Sequence, residues 1–265
     1  MKKIILPFIA LIALEATIQA QQTKTASKDS IKVVTPFLKK EKEVAPKKDW
    51  SKVDLNKRPA DHFIFQYGLD GWAGTPDSIR TKGFCRHFNV YLMLDKPFKS
   101  DPHYSVAYGV GLGTSNIFFD KEIVRLEGTG SSLPFSDVTN SDHFNKFKLT
   151  TIYAEVPAEI RFYENPENKN SGWKGSIGIK AGLLLKAYTK GKNLMSASGN
   201  SLYGSNYIQK ISDTRFINGT KVAVSGRVGY GFVSLHGDFN VLGVIKNGMG
   251  PTINAYSIGI SIGGL

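Results

Sequence analysis

A chain of 265 residues with 34 Lys or Arg against 22 Asp or Glu carries a net charge of +12, unevenly spread. Residues 1–20 contribute +1, and residues 21–60, with eleven basic and five acidic side chains, contribute +6; +5 is left for the remainder. The basic excess therefore marks a tail rather than a folded nucleic-acid-binding face, and the single cysteine, Cys85, excludes an internal disulfide.

The chain opens with Lys2 and Lys3, followed by an apolar run from Ile4 to Leu14 interrupted by Pro7, and then by Ile18-Gln19-Ala20. Basic, apolar and small in that order predicts a secretory signal peptide over 1–20, cleaved after Ala20, with a retained anchor as the alternative. The apolar run is too short for a membrane helix, and no later segment is long enough either. A chain that enters a membrane without such a helix must do so as a closed barrel, because lipid leaves open strand edges unsatisfied. Residues 21–59, rich in Lys, Ser, Thr and Pro, are expected to form a disordered or extended basic linker.

From Phe63 the pattern changes to period two. In the first strand Phe63, Phe65, Tyr67 and Leu69 alternate with His62, Ile64, Gln66 and Gly68; in the second Phe88, Val90, Leu92 and Leu94 alternate with His87, Asn89, Tyr91, Met93 and Asp95. The third is the purest, with Tyr104, Val106, Tyr108, Val110 and Leu112 opposite Ser105, Ala107, Gly109, Gly111 and Gly113. The fourth sets Ile152, Ala154, Val156, Ala158, Ile160 and Phe162 against Tyr153, Glu155, Pro157, Glu159 and Arg161. The fifth sets Ile177 through Leu185 against Ser176, Gly178, Lys180, Gly182 and Lys186. Val222, Val224 and Val228 mark the sixth, opposite Ala223, Ser225 and Arg227; Val233, Leu235, Phe239 and Val241 mark the seventh, opposite Ser234, His236, Asp238 and Asn240. Tyr256, Ile258, Ile260 and Ile262 alternate with Ser257, Gly259, Ser261 and Gly263 in the eighth.

In the third and eighth strands the less apolar face is only Gly, Ala and Ser. That is a poor surface for water but a good inner wall, so the apolar face is expected to look outward to lipid. Short and long connections alternate, the long ones covering roughly 115–146 and 189–217. The expected fold is all-β: an antiparallel up-and-down transmembrane β-barrel of about eight strands over residues 60–265, with both termini and the linker periplasmic.

Glu155, Glu159, Arg161, Lys180, Lys186, Arg227, His236 and Asp238 are then expected to point inward. An eight-stranded barrel is just wide enough for side chains to fill it, so these groups should pair as a charged plug rather than line an open pore. Ser234, His236 and Asp238 contain the residue types of a hydrolase triad, but same-face neighbours on a strand stand about 6.6 Å apart and no nucleophile elbow accompanies them. Glu155 and Glu159, about 13 Å apart, are too distant for a glycosidase pair. His62, His87, His103, His143 and His236 lack metal-ligand spacing, so no catalytic residue, cofactor or metal is expected.

Several stretches resemble the PorT-like outer-membrane β-barrel proteins of Bacteroidetes: Arg58-Pro59-Ala60-Asp61-His62-Phe63, Trp72-Ala73-Gly74-Thr75-Pro76-Asp77, Phe88-Asn89-Val90-Tyr91, and Tyr153-Ala154-Glu155-Val156-Pro157 followed by Ile160-Arg161-Phe162. The resemblance covers roughly Arg58 to Leu265. It implies an outer-membrane location and, for PorT itself, a role in protein secretion. The expected function is a non-enzymatic structural or interaction protein of the cell envelope, an accessory of secretion being one form; the alternative is a narrow channel or transporter for small solutes, and behind it an outer-membrane enzyme. Expected partners are outer-membrane lipid and envelope or secretion-machinery proteins, reached through the long loops and the basic tail, and not nucleic acid.

Overall fold

The computed structural model describes residues 62–263. The expected signal peptide and linker lie outside the described residues, as do Gly264 and Leu265. Among the described residues the secondary structure is strand throughout, apart from turns and single bridges.

Eight strands run antiparallel in a closed ring: β1 (Phe63–Ala73), β2 (Arg86–Pro97), β3 (Tyr104–Phe119), β6 (His143–Tyr163), β7 (Trp173–Met195), β9 (Thr220–Tyr230), β10 (Val233–Asn240) and β11 (Asn254–Gly263). Each pairs with the next, and β11 returns to β1 in unbroken register from Ile64↔Gly263 to Ala73↔Asn254. Closure leaves the ring without a free edge. Short connections, 98–103, 164–172 and 231–232, gather at one end together with the start of β1 and the end of β11. The connections 74–85, 120–142, 196–219 and 241–253 gather at the other.

Three strands lie outside the ring and were not expected. β4 (Glu122–Val124) and β5 (Phe135–Asp137) form a hairpin within the connection after β3. β8 (Ile208–Ser212) pairs with the upper part of β7.

The pleat sorts side chains as period two requires. Outward positions are apolar and exposed around the whole ring, from Tyr67 and Leu92 through Val110, Ile160 and Ile177 to Val228, Leu235 and Ile258; Ile177 is 65% exposed. Inward positions carry the polar groups. Small residues make room for them: a Cβ on Gly113 would run into the Glu155 carboxylate. Gly68 and Gly259 pair across β1 and β11, and a Cβ on either would meet the facing backbone and stand 2.9 Å from a histidine Cε1, of His87 or His236 respectively.

The register slips once, where Ile152 faces Lys186 but Tyr153 faces Leu184. The extra residue in β7 reverses the parity of everything beyond it. Lys186, expected to point inward, is therefore exposed, while Ala187 and Thr189 are buried. Above this bulge β6 and β7 continue as a long ribbon, and Phe147 and Leu149 turn inward beneath the long connections. There they join Ile117, Phe119, Leu126, Phe216, Ile245 and Ile253 in an apolar core that caps this end of the ring. Cys85 belongs to this cap, and burial pushes its thiol above its ordinary value, so it is a packing group rather than a nucleophile.

Candidate functional site: a charge network inside the ring

Polar side chains fill the inside of the ring in three tiers. Nearest the short connections, Glu159 on β6 sits between two guanidinium groups, accepting from Arg161 Nε at 2.9 Å and from Arg227 Nη2 at 2.5 Å. Arg161 also faces Asp95 of β2 at 3.9 Å. Asp95 in turn accepts from Ser105 Oγ at 2.5 Å and from the ammonium of Lys169, which reaches in from the connection between β6 and β7. Arg161 is only 1% exposed. A guanidinium at that depth persists because carboxylates surround it.

In the middle tier, Lys180 of β7 crosses the ring to Asp238 of β10 at 2.9 Å and to Gln66 Oε1 of β1 at 3.1 Å. Its ammonium stands 5.0 Å from the centre of the Tyr91 ring. Glu155 accepts from Tyr91 Oη at 2.6 Å and from Lys221 Nζ at 2.8 Å. These bonds tie β6 to β2 and β9 directly across the interior, which the ladder hydrogen bonds cannot do.

The upper tier is centred on Asp70, whose Oδ1 accepts from His87 Nδ1 at 2.8 Å and from Ser257 Oγ at 2.7 Å, while Oδ2 accepts from Ser115. His87 Nε2 lies 2.9 Å from His236 Nε2. With the Nδ1 proton of His87 directed at Asp70, its Nε2 is the acceptor and His236 Nε2–H donates. His236 Nδ1 then has no partner among the described residues. Two protons cannot share the 2.9 Å gap, so only one of the two imidazoles donates across it.

Of the eight residues expected to point inward, Glu155, Glu159, Arg161, Lys180, Arg227, His236 and Asp238 lie within these tiers, divided among them rather than joined in one cluster, and the exposed Lys186 does not. Ser234, His236 and Asp238 are not brought together: His236 turns to His87 and Asp238 to Lys180. Several participants escaped the sequence reading. Asp70 sits one alternation beyond Gly68, and His87 and Asp95 stand on the inward face of β2, so period two could have found all three. Lys169 lies in a turn, where no periodicity points inward.

A cavity of about 40 Å³ lies between Asp70, His87 and Asp238 on one side and the apolar Trp72, Leu149 and Val244 on the other. That is room for about three waters at roughly 10–15 Å³ each. Among the described residues, no group of His, Cys, Asp and Glu is arranged to hold a metal ion. The chemistry of the interior is thus mutual neutralisation of buried charge. No protein-family model matches this chain, and no curated protein matches its sequence.

Proposed function

We propose that this protein is an outer-membrane β-barrel with both termini periplasmic, a non-enzymatic structural or interaction component of the cell envelope whose interior is sealed by paired charges. The observation that carries the reading is the ring-wide belt of exposed apolar side chains. The largest apolar patch on a water-soluble monomer is typically ~300–600 Å², and a belt encircling eight strands exceeds that by far. Lipid is the medium in which such a belt is favourable.

Dimensions support the reading. From Trp173 to Leu185 β7 climbs ~40 Å along the strand, or ~30 Å along the axis at a tilt of about 40°, close to the ~25 Å apolar band of outer-membrane barrels with its flanking girdles. Aromatic side chains collect at the short-connection end as such a girdle would. Trp173 packs edge-on against Tyr230 at 5.9 Å between ring centres, and Tyr104 lies beside Phe162 at 5.4 Å. The filled interior favours a plug over a conduit, since the cavity between Asp70 and Trp72 suits water but not a solute. A role as an accessory of protein secretion is the narrower form of this reading and rests on the resemblance to PorT-like proteins.

The test is to fractionate cells expressing the full chain, run the outer-membrane fraction on a gel with and without boiling, and record conductance in planar bilayers. A heat-modifiable outer-membrane band without conductance steps is the expected result. A soluble periplasmic protein with no mobility shift would overturn the membrane reading. Steady conductance altered by Arg161→Ala or Arg227→Ala would replace the plug with a channel.

A further inference from the structure

The outer face of the ribbon above the bulge carries cations in register. Lys148 on β6 pairs with Lys190 on β7, and Lys190 pairs with Lys210 on β8. One step further from the ring Lys146 faces Lys192. Arg86 of β2 joins from the side: its guanidinium and the Lys148 ammonium each lie 5.6 Å from the centre of the Phe118 ring. Among the described residues, no carboxylate lies within ion-pair distance of any of these six groups.

Like charges directly opposite on adjacent strands destabilise a sheet. Arg86, Lys190 and Lys210 all repel the Lys148 ammonium. The partners of Lys148 and Lys210 are neutral: Lys148 donates to Asn116 Oδ1 at 2.6 Å, and Lys210 sits 4.0 Å from the Tyr188 ring centre. The rows therefore weaken the sheet that bears them, and packing gives no reason for them. A polyanion would relieve the repulsion.

Position narrows what that anion is. On β7 the rows begin immediately beyond Leu183, Leu185 and Lys186, where the exposed apolar belt stops; on β2 Arg86 follows Phe88 in the same way. A molecule lying against this wall meets apolar side chains along its length and cations at one end. We propose that Lys146, Lys148, Lys190, Lys192, Lys210 and Arg86 form a docking surface for the phosphate groups of a phosphorylated lipid in the leaflet at the long-connection end, its acyl chains resting on the apolar belt below. The proposal rests on the outer-membrane reading and adds a specific lipid chemistry to it.

The experiment uses the full chain folded into phosphatidylcholine nanodiscs doped with lipid A or with dephosphorylated lipid A, with bound lipid counted by native mass spectrometry. Wild type should prefer the phosphorylated form at least tenfold, and the preference should fall as salt rises. The triple variant Lys148→Gln/Lys190→Gln/Lys210→Gln should lose it, while Lys99→Gln/Lys121→Gln should keep it. Lys190→Glu supplies the row with its own counter-charge. It should raise the unfolding temperature in lipid-free detergent while abolishing the preference, whereas a merely structural row predicts a lower unfolding temperature. Equal binding of the two lipids by wild type, or full retention by the triple variant, would overturn the docking surface. The boiling shift on the same samples separates the two levels: a shifting protein without preference defeats the docking surface alone, and a chain that never inserts defeats both.

Discussion

Along β7 the outward side chains run Ile177, Ile179, Ala181, Leu183 and Leu185, then change to Lys186, Tyr188, Lys190 and Lys192. Inward, Lys180 gives way to Ala187 and Thr189. β6 makes the same exchange. Its lower half shows Val156 and Ile160 outward with Glu155 and Glu159 inside; its upper half shows Lys146 and Lys148 outward with Phe147 and Leu149 inside. Two neighbouring strands thus invert their polarity at one height, and the bulge at Leu185 lies at the crossing. Polarity is read against the surrounding solvent. In water a sheet stabilises itself with an apolar inside and a charged outside; in lipid the outer face must be apolar, and the inside takes what charge there is, in pairs. The upper cap shows the first pattern and the lower wall the second.

The comparison can be broken most severely from inside the wall. Glu159→Ala would leave Arg161 and Arg227 without their shared carboxylate and should cost about 3–5 kcal/mol, the usual consequence of removing one member of a buried ion group. Urea unfolding in lipid vesicles measures it. Removing the cations as well, in Glu159→Ala/Arg161→Met/Arg227→Met, should recover much of the loss. A triple variant no better than the single would show that the charges are not coupled.

The outer face offers the next largest effect and a direct contrast between regions. Ile179→Arg, near the middle of the belt, should cost about 2–4 kcal/mol. Ile208→Arg on β8, half exposed beside the lysine rows, should cost less than about 1 kcal/mol. Equal penalties would erase the distinction between wall and cap.

How far this arrangement could be read from the sequence depends on the same inversion. Tyr104 to Gly113 is legible because outward-facing bulk alternates with serine, alanine and glycine without interruption. The upper half of β6, His143 to Thr151, reads instead as an unremarkable polar stretch, because its few apolar residues face in; the expected long connection of roughly 115–146 runs into it, and the expected strand begins only at Ile152. The single extra residue in β7 put Lys186 on the wrong face, since alternation carries no mark of a bulge. In the interior, period two points to Glu155 and Arg227 one strand at a time. It says nothing of which charge meets which, because Lys180 and Asp238 are joined by closure of the ring across more than fifty residues of chain. Lys169 enters from a turn, beyond the reach of any periodic rule.

The smallest expected effect concerns the cap and pH. Burial raises the Glu122 carboxyl above its ordinary value, despite its bond from the Arg80 amide at 2.7 Å. A raised carboxyl contributes stability that is fully present below the unfolded value of about 4.3 and lost as pH rises through the folded one. Amide exchange in the hairpin β4–β5, corrected for intrinsic rates, should therefore show greatest protection at the acid end of that window. Glu122→Gln should flatten the dependence, and an unchanged profile would assign it to another group.

In an outer-membrane barrel of this build the wall would face lipid and the cap water, with the boundary at the bulge. Spin labels placed singly on a Cys85→Ser background at positions 177, 179, 181, 183, 185, 186, 188, 190 and 192 of the bilayer-reconstituted protein test it most directly. Collision with oxygen should dominate through 185, and collision with a water-soluble nickel chelate should take over from 186 or 188 onward. Chelate access at every position, or none at any, would contradict the account.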